Sequence, residues 1–199
     1  MFGKIKKSTT YFLLFISTLF MLYACPPPCE PQRISVLPIP DSVSMLIPYK
    51  NGDTVNFQHS GGLVVPFVCQ RDSSAEYACS DWCSPGQEYR LDETLLIPDY
   101  PISSVFVQLT KYDEQNLLFS ISVANSSTAL NVQHELSFNL DSLKVNQKWF
   151  YCVMALNLSS SENPNYPNKL RFDSVYYTQQ NGIVRLTMSN GEYYDLFEK

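Results

Sequence analysis

Cys69, Cys79, Cys83 and Cys152 are the side chains with the widest chemical range in this chain. Together they could form disulfides, ligate zinc or supply a nucleophile. Cys79 and Cys83 stand at a spacing zinc accepts, and Cys69 could be a third ligand, but a second Cys pair is missing. Neither His59 nor His134 falls at ligand distance. No Cys-x-x-Cys supports a redox thiol pair. Ser60, His134 and an aspartate could in principle make a hydrolytic triad. No Gly-x-Ser-x-Gly elbow accompanies them, and adjacent His59-Ser60 does not orient a nucleophile by itself. Glu76, Asp81, Glu88, Asp92 and Glu93 offer carboxylates for acid–base work. An acidic chain always offers such a set, and neither a phosphate-binding glycine loop nor His-Glu-x-x-His is present. The reading is therefore non-catalytic, with no cofactor and no metal, and both histidines are expected on the surface.

Residues 1–25 set the address. Lys4, Lys6 and Lys7 precede an apolar stretch over residues 11–24, which ends in a small residue and a cysteine. Positive start, apolar middle and small residue at the cut are the parts of a secretory leader. The stretch is shorter than the roughly 20 residues a spanning helix needs, and Pro26-Pro27-Pro28 cannot continue a helix. Leu22-Tyr23-Ala24-Cys25 resembles the lipobox of bacterial lipoproteins, with Tyr23 where a smaller residue is usual. The resemblance implies cleavage before Cys25 and acylation of Cys25 (palmitate being one such chain). It also implies an anchor of more than one chain, which holds a protein stably where one chain would not. Pro26 is not the aspartate that retains lipoproteins in the inner membrane of enteric bacteria. An outer-membrane, lipid-anchored location is therefore expected, with the periplasmic or cell-surface face left open.

Past the leader the compartment is oxidising, so disulfides are the expected state of the thiols. Cys69 would pair with Cys79 or Cys83, and the other with Cys152; sequence does not choose among the three pairings. Removing three lysines with residues 1–24 takes the formal charge from −5 to about −8. No basic run survives for nucleic acid or for a polybasic grip on anionic lipid.

Domain organisation follows. Residues 25–33 read as a stiff, proline-rich, lipidated tether. Residues 34–199 read as one all-β domain, with at most an edge strand near Ile34–Leu37. Asn181-Gly182 and Asn190-Gly191 predict hairpins that end the chain in a three-stranded meander; Asn51-Gly52 and Gly61-Gly62 predict two more turns. Period-two alternation runs through Val105–Thr110, Leu117–Val123, Leu136–Leu140 and Phe150–Leu156. In the last of these, Phe150, Cys152, Met154 and Leu156 should share a face. Asp141–Gln147 could form a turn of helix, and residues 70–86 read as a long loop. About ten short strands fit an antiparallel β-sandwich, or alternatively an up-and-down, lipocalin-like barrel with a ligand cavity.

Tyr176, Tyr177, Tyr193 and Tyr194 fall on the meander, and one of each adjacent pair should face outward as an amphipathic contact surface. Asp-Ser/Thr-aliphatic triplets at Ser42, Thr54, Ser142 and Ser174 resemble the O-glycosylation acceptors of Bacteroidetes. The hairpin-rich ending is similar to that of small, uncharacterised lipoproteins of the same group. The resulting expectation is a membrane-anchored protein that binds or scaffolds, with an envelope protein assembly or a glycan as partner and no nucleic acid. A barrel carrying a small apolar ligand is the alternative, and a hydrolase a more distant one.

Overall fold

The computed structural model describes residues 36–78, 87–99, 103–124, 126–160 and 171–197. After one helical turn, α1 (Asp41–Ser44), the described chain is strand: β1 (Thr54–His59), β2 (Val64–Ala78), β3 (Gln87–Pro98), β4 (Val105–Lys111), β5 (Leu117–Val123) and β6 (Ser126–Asn131). These are followed by β7 (Leu140–Val145), β8 (Lys148–Asn157), β9 (Ser159–Ser160), β10 (Phe172–Thr178), β11 (Gly182–Met188) and β12 (Tyr193–Leu196). The strands join in the order β7-β8-β10-β11-β12-β1-β2-β3-β4-β5-β6-β9. All pairings are antiparallel. The fold is all-β, as the alternation predicts.

It is one sheet curled into a half-barrel, closer to the barrel alternative than to two stacked sheets. Most neighbours in the sheet are neighbours in sequence, and the last strand pairs with the first, Phe57 opposite Leu196. A continuous twisted sheet can cover its own apolar face only by curling. The curl is measurable: Phe119 on β5 and Tyr177 on β10, seven strands apart in the order, touch with ring centroids 5.1 Å apart. At one end the two edges meet, because a single residue, Leu158, separates β8 from β9, which pairs with β6.

Antiparallel pairing gives the half-barrel two rims. The lower rim carries the strand ends at His59, Pro98, Val123 and Met188; the upper rim carries those at Ala78, Lys111, Val145 and Thr178. Inward side chains alternate along the central strands, most regularly on β5, as a one-faced core requires, with Phe57, Phe67, Leu96, Leu109, Phe119 and Ile121 all buried. Residues 46–49 also enter this core. The Tyr177 hydroxyl donates to the Leu46 carbonyl, and the Ile183 N–H donates to the Tyr49 hydroxyl at 2.7 Å. Burial pushes both tyrosine hydroxyls far above their ordinary pKa.

Local differences from expectation have local causes. The Asn-Gly hairpins are three-residue loops: in each, the glycine alone takes positive φ, +71° at Gly182 and +86° at Gly191. That is a turn followed by a bulge, not the mirror-image two-residue turn. The two-residue turn falls instead at Asn146-Gln147, with φ of 45° and 68°. Residues 141–147 are accordingly a strand and a tight turn, not a helix. Cys152, at φ 51°, bulges β8, so Phe150 and Val153 face inward while Tyr151 and Cys152 face out. Cys152 therefore leaves the face shared with Met154 and Leu156. Asn139 mends the ladder beside the bulge: its amide accepts from and donates to the Ala155 backbone, at 2.8 and 3.2 Å. Residues 70–78, expected as loop, extend β2 in an unbroken pairing with β3. No strand forms over residues 36–40.

Candidate functional site

The inward parity that carries Phe67 and Cys69 on β2 continues to Arg71, and the parity of Leu96 and Thr94 on β3 continues to Asp92 and Arg90. On β4, Val107 and Leu109 lead to Lys111. Each strand therefore changes from apolar to charged toward the upper rim. What those charges face is the segment 36–49.

Arg71 uses its whole guanidinium there. Nε and Nη2 grip Asp92 at 2.9 and 2.6 Å; Nη1 donates to the Ile47 and Tyr49 carbonyls at 2.8 and 3.0 Å. Nη2 also reaches the Ser44 hydroxyl at 2.8 Å and the Ser44 carbonyl at 3.2 Å. Ser44 in turn donates to Asp92 at 2.5 Å. The planar fork of arginine suits a bidentate carboxylate while its outer hydrogens serve carbonyls. Higher up, Arg90 donates to the Val36 carbonyl at 3.2 Å, and Lys111, buried and paired with Glu114, reaches the Pro38 carbonyl at 3.5 Å. Three cations on three adjacent strands thus fasten one extended segment by its backbone. A cleft of about 380 Å³ remains between that segment and the β2–β3 hairpin, lined by Pro38, Asp41, Ser73, Ser74 and Arg90 among others.

The sequence-predicted residues fall as follows. On the outer wall of the meander, Tyr176 and Tyr193 face outward and Tyr177 and Tyr194 inward, one of each pair as expected. Between the outward pair lies Arg185, held by Asp195 at 2.5 and 2.8 Å, its guanidinium carbon 4.8 Å from the Tyr193 ring centre. These side chains form one patch of amphipathic groups. Ser42 on α1 and Thr54 on β1 are exposed, while Ser142 and Ser174 are half-buried on strands. Cys25, Cys79 and Cys83 lie outside the described residues.

Cys69 and Cys152 are both free thiols, Cys69 buried and Cys152 exposed, which corrects the expected bridges at these positions. The extension of β2 supplies the reason. Ala78, the chain neighbour of Cys79, stands nine residues along the strand from Cys69, about 30 Å away at strand rise. Burial pushes the Cys69 thiol up to about 11. Iodoacetamide at pH 8, followed by peptide mapping, should modify Cys152 in the folded protein and Cys69 only on unfolding. Between about pH 9 and 11 the unfolded thiol ionises while the folded one stays neutral. Cys69 therefore withdraws stability through that window and leaves it unchanged below, checked by urea titrations across it.

His59 and His134 serve turns. The Gly61 N–H donates to His59 Nδ1 at 3.1 Å, and Nε2 faces Glu192 at 3.7 Å. Ser60 sits at the lower rim and His134 follows β6 at the upper one, so the structure does not bring them together. Among the described residues no group of three or more His, Cys, Asp or Glu could hold a metal ion, and no helix is long and apolar enough to cross a membrane.

The fold and this site define a curled antiparallel half-barrel with an extended N-terminal segment latched inside one rim. No protein-family model, curated protein or solved structure matches the chain.

Proposed function

We propose that this chain is a lipid-anchored, non-catalytic binding or scaffolding component of a bacterial outer envelope, attached through Cys25. The observation that carries the reading is the latch. The segment leading from the proposed tether is not a loose leader to the domain. Its backbone is fastened to Arg71, Arg90 and Lys111, and residues 46–49 are part of the core. A pull on the tether is therefore carried into three neighbouring strands. That suits a body held at a fixed height on a membrane better than one that diffuses.

The outer patch of Tyr176, Arg185 and Tyr193 gives such a body a contact surface for a protein assembly or a glycan. The alternative, a carrier of a small apolar ligand, finds less support. Described residues fill the apolar interior with their own side chains, among them Ile47, Phe119 and Tyr177, and the cleft at the latch is lined by polar groups. Extraction of the full-length protein in mild detergent should retain a partner protein or envelope glycan, and Arg185→Ala with Tyr193→Ala should lose it. Recovery of the wild-type protein with neither would refute the binding reading. Impermeant amine labelling of intact cells would then place it on one face of the membrane. Exposed Lys148 can report there, whereas Lys111 is buried and cannot.

A further inference from the structure

Four of the five most exposed large hydrophobic side chains belong to elements at the upper rim. Tyr151 is 68% exposed, Leu37 65%, Met45 64% and Trp149 52%; the fifth, Leu63, is at the lower rim. Trp149 and Tyr151 stand two residues apart on the outward face of β8. Lys144 lies opposite Trp149 across the β7–β8 ladder, its ammonium 5.8 Å from the ring centre. Lys148 begins β8 on the other face, its ammonium 5.2 Å from the centre of the inward Phe150 ring. Solvent-exposed tryptophan is costly to keep in water, and the described chain leaves about half of Trp149 uncovered.

Which surface could cover it follows from where the chain enters. Val36 and Pro38 are bound to Arg90 and Lys111 at this same upper rim. The eleven residues from Cys25 to Val36 span at most about 40 Å, and less as polyproline. A lipid on Cys25 would thus keep this rim, and not the lower one, near the bilayer. The residue types agree. Tryptophan and tyrosine settle at the headgroup level, where one end of the ring is wet and the other is not, and lysine extends past them to lipid phosphates. In a chain of net charge −5, this hairpin carries two lysines against one carboxylate, Asp141. Several acidic groups of the rim have partners, Glu114 in Lys111, Glu88 in Arg90, Glu76 in the Tyr89 hydroxyl and Glu135 in the Asn131 N–H, while Asp41 on α1 is exposed.

We infer that the β7–β8 hairpin is a second membrane contact, resting on the lipid headgroups with Trp149 and Tyr151 at their depth and Lys144 toward the phosphates. This deepens the lipid-anchor reading and rests on it. The test uses the full chain purified from membranes, carrying Trp82→Phe so that Trp149 is the sole tryptophan. It is reconstituted into vesicles of phosphatidylethanolamine and phosphatidylglycerol with bromine on the upper acyl carbons. The expected result is a blue-shifted Trp149 emission that loses most of its intensity to the brominated lipid. Lys144→Glu should relieve the quenching while leaving the urea midpoint unchanged. An unquenched, fully hydrated Trp149 would overturn the inference, as would an emission that shifts with soluble envelope polysaccharide instead of with lipid. The mass of the same preparation shows whether Cys25 is acylated. An acylated protein with unquenched Trp149 refutes the hairpin contact alone; an unacylated one refutes the anchor reading beneath it.

Discussion

Replacing Arg71 with methionine is expected to cost about 3 kcal/mol of stability, and to free the segment 36–49 from the sheet. The magnitude follows from what is left behind. Asp92 is almost fully buried and would lose the fork that neutralises it, while the carbonyls of Ser44, Ile47 and Tyr49 would lose their donor. Breaking a buried pair at one partner costs about 3–5 kcal/mol, and Arg71 keeps some contact with water, which places the effect at the lower bound. Urea unfolding measures it. Trypsin gives the second readout, because Lys50 follows the latch directly and is exposed. The variant should be cut there at concentrations the parent resists. Arg71→Met with Asp92→Leu separates the two roles of the arginine. Removing the orphaned charge should restore much of the stability, yet the carbonyls remain unserved and cleavage at Lys50 should stay fast. If the double variant recovered both, Arg71 would be a partner for Asp92 and nothing more.

The second large effect is expected at Cys25. Cys25→Ala removes the sulfur on which the proposed lipid is built, and the protein should move from the membrane fraction to the soluble one, or stall uncleaved with its apolar leader attached. Two acyl chains hold a protein to a bilayer stably, whereas the exposed side chains of the upper rim offer only an interfacial contact. The loss should therefore be nearly complete in a wash of moderate salt. Its folded domain should be unaffected, since Cys25 precedes the latch by more than ten residues. A Cys25→Ala protein that stays with membranes after leader removal would transfer the anchoring role to the hairpin.

Much of the fold is legible in the residues because a half-buried strand writes its burial with period two. Val105–Leu109, Leu117–Val123 and the terminal meander come out as read, and the outward choice within Tyr176-Tyr177 and Tyr193-Tyr194 follows from the same rule. Two of the failures share one origin: single residues that break the period. Cys152 looks inward until its positive φ inserts a bulge, and Asn146-Gln147 makes a tight turn without a glycine to announce it. The long β2–β3 hairpin is hidden because its upper half is polar, so residues 70–78 resemble a loop, and Cys79 and Cys83, which follow in sequence, resemble partners for Cys69. The latch is missed for the related reason that Arg71, Asp92 and Lys111 look like surface charges. The available signal is their parity: each stands two residues from a buried position on its strand, where a charge must find a partner inside. Nothing in the sequence says that the partner is the backbone of residues 36–49, because that pairing spans more than twenty residues and depends on the curl.

The central claim is that this half-barrel is held to a membrane by lipid on Cys25 through a segment locked into its core. The most direct measurement is the mass of the N-terminal peptide of the protein extracted from membranes. A peptide that begins at Cys25 and carries the added mass of a diacylglyceryl group, with or without a further acyl chain, is the result this account predicts. A peptide that begins at Met1, or at any residue after Cys25, with no lipid mass would contradict it.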